Sequence, residues 1–253
     1  MKQYKQRISI VKYLFWCFAL ASFFLFGCSK PVPPIGSLVE QSVRGEWSSD
    51  RVYSNDFFGI AISIPSEWGL LKGDEQNLEF MLKSIGIASG GNPTAENAFR
   101  QQFSKIHVPM RSLVYPDKEY SKNPNVLVMI ENTEQDPSIR TGGDFLNKMD
   151  KVMNSSSQLP KFDGPPTEIT LDGASFWTSS STLEVNGGES VLFSGAGGYI
   201  SRQRGYSIVK DHYALTILCT CFSSRDDPTA DFASKHITST KKSAEQVVPP
   251  NGP

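Results

Sequence analysis

The chain has 253 residues, with 25 lysines and arginines against 26 aspartates and glutamates, so its net charge at neutral pH is −1. Proteins that bind nucleic acids use a basic face to neutralise phosphates, and this balance of charges provides none. The composition therefore argues against the usual nucleic-acid-binding classes, and no nucleic-acid partner is expected.

The first 27 residues have the pattern of an export signal. Residues 1–12 carry four basic and no acidic side chains, and an apolar run from Tyr13 to Phe26 follows. A basic start, an apolar core of roughly 7–15 residues and a small residue before the cleavage point are typical of such signals. The alternative is an uncleaved anchor helix, which needs about 20 apolar residues to cross a bilayer. This run is shorter, because Ser29-Lys30-Pro31 follows it closely.

The apolar run ends in Leu25-Phe26-Gly27-Cys28, which resembles the lipobox of bacterial lipoproteins. The resemblance implies that residues 1–27 are a cleaved signal peptide and that Cys28 carries the lipid, including palmitate-type acyl chains. Two or more acyl chains anchor a protein stably to a membrane. The resemblance also implies a periplasmic or other cell-envelope location. If the host is Gram-negative, Ser29 after Cys28 favours the outer over the inner membrane.

Cleavage removes Lys2, Lys5, Arg7 and Lys12 but no acidic residue, so the mature chain has a net charge of −5. An acidic chain has no electrostatic attraction to anionic headgroups, and membrane contact is expected through the acyl chains on Cys28. Residues 28–46 are predicted to be a lipidated tether. Pro31-Val32-Pro33-Pro34 favours stiff polyproline II, and residues 36–45 are expected to form a looser spacer.

A single domain is predicted over residues 47–242, a length that suits one domain. Residues 243–253 are expected to be a disordered tail, because their last six residues contain three prolines and a glycine. The chain order of the predicted elements is a strand at 58–64, helices at 76–88 and 94–106, strands at 110–115 and 125–131, and a helix at 141–153. Alternating or helically spaced apolar residues support each of these elements.

Four strand-like runs follow, at 167–171, 175–185, 191–202 and 212–222, and a last helix starts near Asp226. Turns are predicted at Asp172-Gly173, Asn186-Gly187-Gly188 and Val209-Lys210-Asp211, because Asn-Gly and Asp-Gly accept the positive φ of a tight hairpin. Strands segregated from helices in this way predict an α+β domain with an antiparallel sheet covered by helices.

Four segments of the domain resemble the PsbP/DcrB-like family. They are Tyr53-Ser54-Asn55-Asp56-Phe57-Phe58-Gly59 leading to Pro65-Ser66-Glu67-Trp68, the strand 124–132, the helix start Thr141-Gly142-Gly143-Asp144-Phe145-Leu146, and the strand Tyr213-Ala214-Leu215-Thr216-Ile217. The resemblance implies a family fold used for binding and assembly in exported compartments, with Trp68 as a packing residue. The family has no common catalytic residues to transfer.

Cys219 and Cys221 are the cysteines that remain in the domain. Side chains two residues apart on a strand point to the same face, about 6.6 Å apart, whereas a disulfide needs its Cβ atoms about 3.5–4.5 Å apart. We therefore expect two reduced, buried thiols. A metal site is the alternative, but it would need further ligands, and His107, His212 and His236 have no paired spacing.

Motifs for catalysis are weak. Ser89 lacks the spacing of a nucleophile elbow, Gly195-Ala196-Gly197-Gly198 does not open a helix as a phosphate-binding loop does, and Asp211 and His212 face opposite sides of a strand. Five aromatic residues lie at strand ends or in polar runs: Tyr115, Tyr120, Trp177, Tyr199 and Tyr206. They either line a binding face or fill the core, and a core position is favoured.

The sequence thus predicts a lipid-anchored envelope protein that acts as a non-catalytic binding or assembly module. No catalytic residue, cofactor or metal is expected, and the partner is an unidentified protein or small ligand. The alternatives are an envelope hydrolase with a loop-borne Ser or His, and a lipoprotein that serves only as a structural spacer.

Overall fold

The computed structural model describes residues 34–84, 97, 100–101, 103–116, 123–154, 161–185, 199–222 and 227–240. The predictions for the signal peptide, Cys28, Ser89, Tyr120, residues 186–198 and the tail lie outside these ranges. Within them, no helix has the length and apolar character needed to cross a membrane.

Two antiparallel sheets form the framework. The small sheet has the strand order β1-β2-β3-β12, with β1 at Glu46–Trp47, β2 at Val52–Asn55, β3 at Ile60–Ser63 and β12 at Ile237–Ser239.

The large sheet has eight strands. Seven follow the order β4-β5-β6-β11-β10-β9-β7, and β8 pairs with β9 off this path. Their bounds are β4 Gly69–Lys72, β5 Ile106–Leu113, β6 Asn125–Asn132, β7 Lys161–Phe162, β8 Thr167–Leu171, β9 Ala174–Val185, β10 Tyr199–Lys210 and β11 Tyr213–Cys221.

Three α-helices have described bounds, together with a 3-10 turn at Gln41–Val43. They are α1 at Gly73–Ser84, α2 at Gly142–Asn154 and α3 at Phe232–His236. The helix predicted at 94–106 is helical at its described positions Asn97, Arg100, Gln101 and Phe103, but β5 already begins at Ile106.

The molecule has three layers, because the central strands bury side chains on both faces. From β6, Val126 and Val128 enter the core between the two sheets, while Leu127 enters the core under α1. Phe145 of α2 packs with Ala214 of β11 in a third, smaller cluster on the helix side of the large sheet. The predicted α+β class, with antiparallel sheets packed by helices, is confirmed.

The helix α2 begins as its sequence predicts. The Thr141 hydroxyl accepts a bond from the Asp144 backbone N–H (3.1 Å), and the Asp144 carboxylate accepts one from the Thr141 N–H (2.9 Å). This reciprocal capping box satisfies donors that a helix start otherwise leaves unpaired. Gly142 and Gly143 are the first residues of the helix. The turn at Asp172-Gly173 also forms as predicted, with Asp172 and Gly173 both at positive φ.

Several boundaries were predicted wrongly. The strands β1, β2, β4, β7 and β12 were not predicted, because two to four residues are too few to show a period. The strand β10 ends at Lys210 rather than at Arg202, and its turn is Asp211-His212, with Asp211 at φ +54°. Residues 36–45, predicted as a loose spacer, pack against the domain, as the next section describes.

Candidate functional site

Residues 35–45, here called the strap, cross one end of the large sheet. Ile35 is buried in the core beneath α1, whereas Val39 and Val43 are buried in the core between the sheets. The strap therefore passes from one face of the large sheet to the other. Its apolar residues recur every fourth position, and this spacing is the sequence signal that could have revealed the packing.

Backbone hydrogen bonds fix where the strap crosses. The Gly36 N–H donates to the Phe103 carbonyl (3.0 Å) and the Leu38 N–H to the Ser104 carbonyl (3.0 Å), just before β5 starts. The Asn132 side-chain amide, at the end of β6, donates to the Leu38 carbonyl (2.8 Å). Because Tyr213 pairs with both Asn132 and Lys210, β10 ends and β11 begins on this same side of the antiparallel sheet. We call this side of the molecule the strap end.

Arg44 holds the strap closed. Its Nη2 donates to the Gly36 carbonyl (2.6 Å) and its Nε to the Val39 carbonyl (3.0 Å). The buried Tyr53 hydroxyl in turn donates to the Arg44 carbonyl. Burial raises the pKa of Tyr53 well above its usual range, since desolvation outweighs the hydrogen bond from Asn55. The Tyr53 phenol therefore stays protonated and continues to donate its hydrogen bond to the Arg44 carbonyl.

Asp74 and His107 form a part-buried pair beneath the strap. The Nδ1 atom of His107 lies 3.0 Å from both carboxylate oxygens of Asp74. The Val108 N–H donates to Asp74 Oδ1 (2.6 Å), at the point where Pro109 breaks the β5–β6 register with a bulge. A Cβ on Gly36 would lie 2.7 Å from Asp74 Oδ2, so the strap can approach the pair this closely only with glycine there.

A second pair of interacting side chains, Ser63 and His236, lies on the small sheet. The Ser63 hydroxyl and His236 Nδ1 are 3.2 Å apart, and the His236 ring stacks on Phe232 with ring centroids 5.0 Å apart. Burial lowers the pKa of His236, and the positive charge of the nearby Lys235 lowers it further. This pair supplies a hydroxyl and a base, while Asp74–His107 supplies an acid and a base.

The described residues do not complete a catalytic triad. A triad needs a nucleophile, a base and an orienting acid in one chain of hydrogen bonds. Among the residues described, no carboxylate hydrogen-bonds to His236 and no hydroxyl to His107. The described part of the chain also contains no group of three or more His, Cys, Asp or Glu placed to hold a metal ion.

Glu131 is a buried carboxyl at the strap end, on the helix side of β6. Desolvation raises its pKa from 4.5 to about 7, against the opposing effect of Lys148 and Lys105 and with a smaller addition from Asp136. Lys148 binds Asp136 at 2.8 Å, and the hydrogen bonds from Lys148 and Ser138 lower the pKa of Asp136 to about 2. The site thus holds one carboxyl that titrates near neutral pH. No sequence motif marks it.

The candidate residues from the sequence analysis do not come together in one site within the described residues. The His212 ring lies against Tyr213 in a tilted arrangement, with ring centroids 4.3 Å apart, and Asp211 occupies the turn. Cys219 and Cys221 are buried and not disulfide-bonded, as predicted. Tyr206 is in the core, as predicted for the aromatic set, whereas Tyr115 is 40% exposed.

No family model matches this chain, and no curated protein matches it. Among solved structures, the chain is similar to the solution structure of cyanobacterial PsbP (CyanoP) from Synechocystis sp. PCC 6803. That match has a TM-score of 0.40 and 13% sequence identity, and it covers 77% of this chain and 96% of that chain. A similarity at this level does not establish membership of a family or a function.

Proposed function

We propose that this protein is a bacterial envelope lipoprotein with a PsbP/DcrB-like domain, anchored through acyl chains on Cys28 and acting by binding or assembly rather than by catalysis. The observation that carries the proposal is Leu25-Phe26-Gly27-Cys28 at the end of the apolar run. Ile35, seven positions after Cys28, is buried in the core beneath α1, so the proposed lipid attachment lies close in the chain to the folded domain.

A binding role is favoured over hydrolysis because the Ser63–His236 and Asp74–His107 pairs each supply only two of the three groups of a catalytic triad within the described part of the chain. Among the residues that the structure describes, no carboxylate is bonded to His236 of the Ser63–His236 pair, and no hydroxyl is bonded to His107 of the Asp74–His107 pair. The part-buried Asp74–His107 pair, with its further bond to the Val108 N–H, has an ordinary structural role, namely to hold the start of α1 against β5.

The anchor is tested by substituting Cys28. We expect Cys28→Ala to abolish acylation of the mature N-terminus, measured by mass spectrometry, and to release the protein from the membrane fraction. Cys17→Ala is the matched control, because Cys17 lies in the apolar run but outside the lipobox, and it should change neither result. Membrane retention of Cys28→Ala with residues 1–27 still attached would instead establish an uncleaved anchor helix.

The non-catalytic role is tested separately with the purified protein and panels of ester, phosphoester, peptide and glycoside substrates. We expect no turnover that depends on the two histidine pairs. Turnover by the wild type that disappears in His236→Gln or His107→Gln, with the fold intact by circular dichroism, would contradict the binding assignment and support the hydrolase.

A further inference from the structure

We infer that the strap end of the large sheet faces the lipid bilayer and that the opposite end, which carries Tyr115, points away from it. The inference rests on the proposed lipidation of Cys28. It deepens that proposal by assigning a surface of the domain to a partner, the bilayer surface.

The first step is the length of chain between the lipid and the fold. Pro34 is six residue steps along the chain from Cys28, and an extended chain spans at most about 3.6 Å per step. The reach is therefore no more than about 22 Å. The exposed Pro34 accepts a hydrogen bond from the Ser37 N–H (3.1 Å), which attaches this short segment directly to the strap.

The second step is that the strap cannot extend the reach. Ile35, Val39 and Val43 are buried, and Arg44 closes the strap on itself through the Gly36 and Val39 carbonyls. Releasing residues 35–45 would expose these side chains to water. The effective attachment point is therefore at the strap end rather than at residue 47, where the sequence predicts that the domain begins.

The third step is a comparison of sizes. A domain of about 200 residues has a radius of gyration near 16 Å and is roughly 40 Å across. A segment of about 22 Å cannot pass around such a body. The strap end is consequently held next to the bilayer, and the far ends of β5 and β6 lie about 23 Å further out along the strands.

The charges at the strap end do not provide an alternative reason for this orientation. Three exposed acidic residues (Glu40, Glu134, Asp211) are mixed with the exposed Lys210 and the half-buried Lys105. A surface of mixed sign has no strong attraction to anionic lipids, which recognise clusters of lysine and arginine. The orientation should therefore be the same on zwitterionic and on anionic membranes.

The test introduces one exposed cysteine at a time, Leu38→Cys (47%) at the strap end or Tyr115→Cys (40%) at the opposite end. Only the folded protein is labelled, because the native Cys219 and Cys221 are buried in it. Each lipidated protein is labelled with a bimane and reconstituted in phosphatidylcholine vesicles that contain a nitroxide on the lipid headgroup. Because the positions are separated by about 23 Å along the sheet, we expect quenching at position 38 at least about threefold stronger than at position 115. Ser37→Cys, also exposed, replaces Leu38→Cys if that variant does not fold.

The matched control lengthens only the segment between lipid and fold. Twelve Gly/Ser residues inserted between Val32 and Pro33 add up to about 43 Å of reach, and the quenching difference should then largely disappear. A difference that persists would show that something other than the short segment orients the domain, and would overturn the inference.

Flotation with the vesicles separates the two proposals. Proteins that fail to float show that the lipid anchor is absent, and the proposed function fails with it. Proteins that float but are quenched equally at both positions, or more strongly at position 115, retain the anchor and overturn the orientation.

Discussion

The indole ring of Trp68 stacks on the phenyl ring of Phe232, with ring centroids 5.5 Å apart and an interplanar angle of 22°. Trp68 precedes β4 and Phe232 opens α3, so the stack joins the start of the large sheet to the last helix. Trp68 is only 7% exposed, and its carbonyl accepts a bond from Arg51 (2.7 Å). The packing role that the family resemblance implies for Trp68 is confirmed.

We expect Trp68→Ala to lower the free energy of unfolding by about 3–5 kcal/mol, the usual cost of truncating a buried large aromatic residue. The measurement is denaturant unfolding of protein expressed from Ser29 onward. Leu38→Ala, at a 47% exposed position, is the control and should stay within about 0.5 kcal/mol. A similar small change for Trp68→Ala would mean that the stack contributes little to stability.

Sequence predicts the parts of this fold whose signals are local. The apolar run of β6 and the capped helix α2 show their periods directly, and Asp172-Gly173 identifies its own turn. The strap and the pairs Asp74–His107 and Ser63–His236 were missed because each depends on contacts between residues far apart in the chain. Glu131 was missed for the same reason, since burial and not a motif sets its pKa.

Gly143→Ala should destabilise the protein, although alanine normally favours a helix by about 1 kcal/mol over glycine. A Cβ at Gly143 would lie 2.6 Å from the ring of Trp177, so α2 or the indole must shift. Gly164→Ala is the control, because nothing lies within 4 Å of its Cβ position. Thermal unfolding measures both. A higher melting temperature for Gly143→Ala would show that the contact between α2 and β9 is not tight.

The stability of the protein should fall between pH 4.5 and about 7 because of Glu131. A carboxyl whose pKa is raised on folding binds its proton more tightly in the folded state. Its stabilisation is complete below the unfolded pKa and is lost as the pH rises through the folded one. Asp136, with its pKa lowered to about 2, changes stability only below this window.

Glu131→Gln tests this directly, because glutamine has the same shape and does not ionise. A shift from 4.5 to about 7 corresponds to about 3 kcal/mol, so the variant should be more stable than the wild type at pH 8 by up to this amount. The difference between the two should shrink towards pH 4.5 in denaturant titrations. The exposed Glu134→Gln should follow the wild-type profile. Parallel profiles for Glu131→Gln and the wild type would show that Glu131 is ionised without penalty.

Cys219 and Cys221 should react slowly with thiol reagents in the folded protein and rapidly in denaturant. Both side chains are buried at 2% exposure or less, and burial raises the pKa of Cys219 from 9.0 to about 12, which removes the reactive thiolate at neutral pH. Labelling then requires opening of a central strand, so we expect a rate at least about a hundredfold below that of an exposed thiol. Leu38→Cys supplies that exposed thiol in the same molecule. Equal rates at the native and introduced cysteines would place the end of β11 outside the core, and the layered packing of the sheets would need revision there.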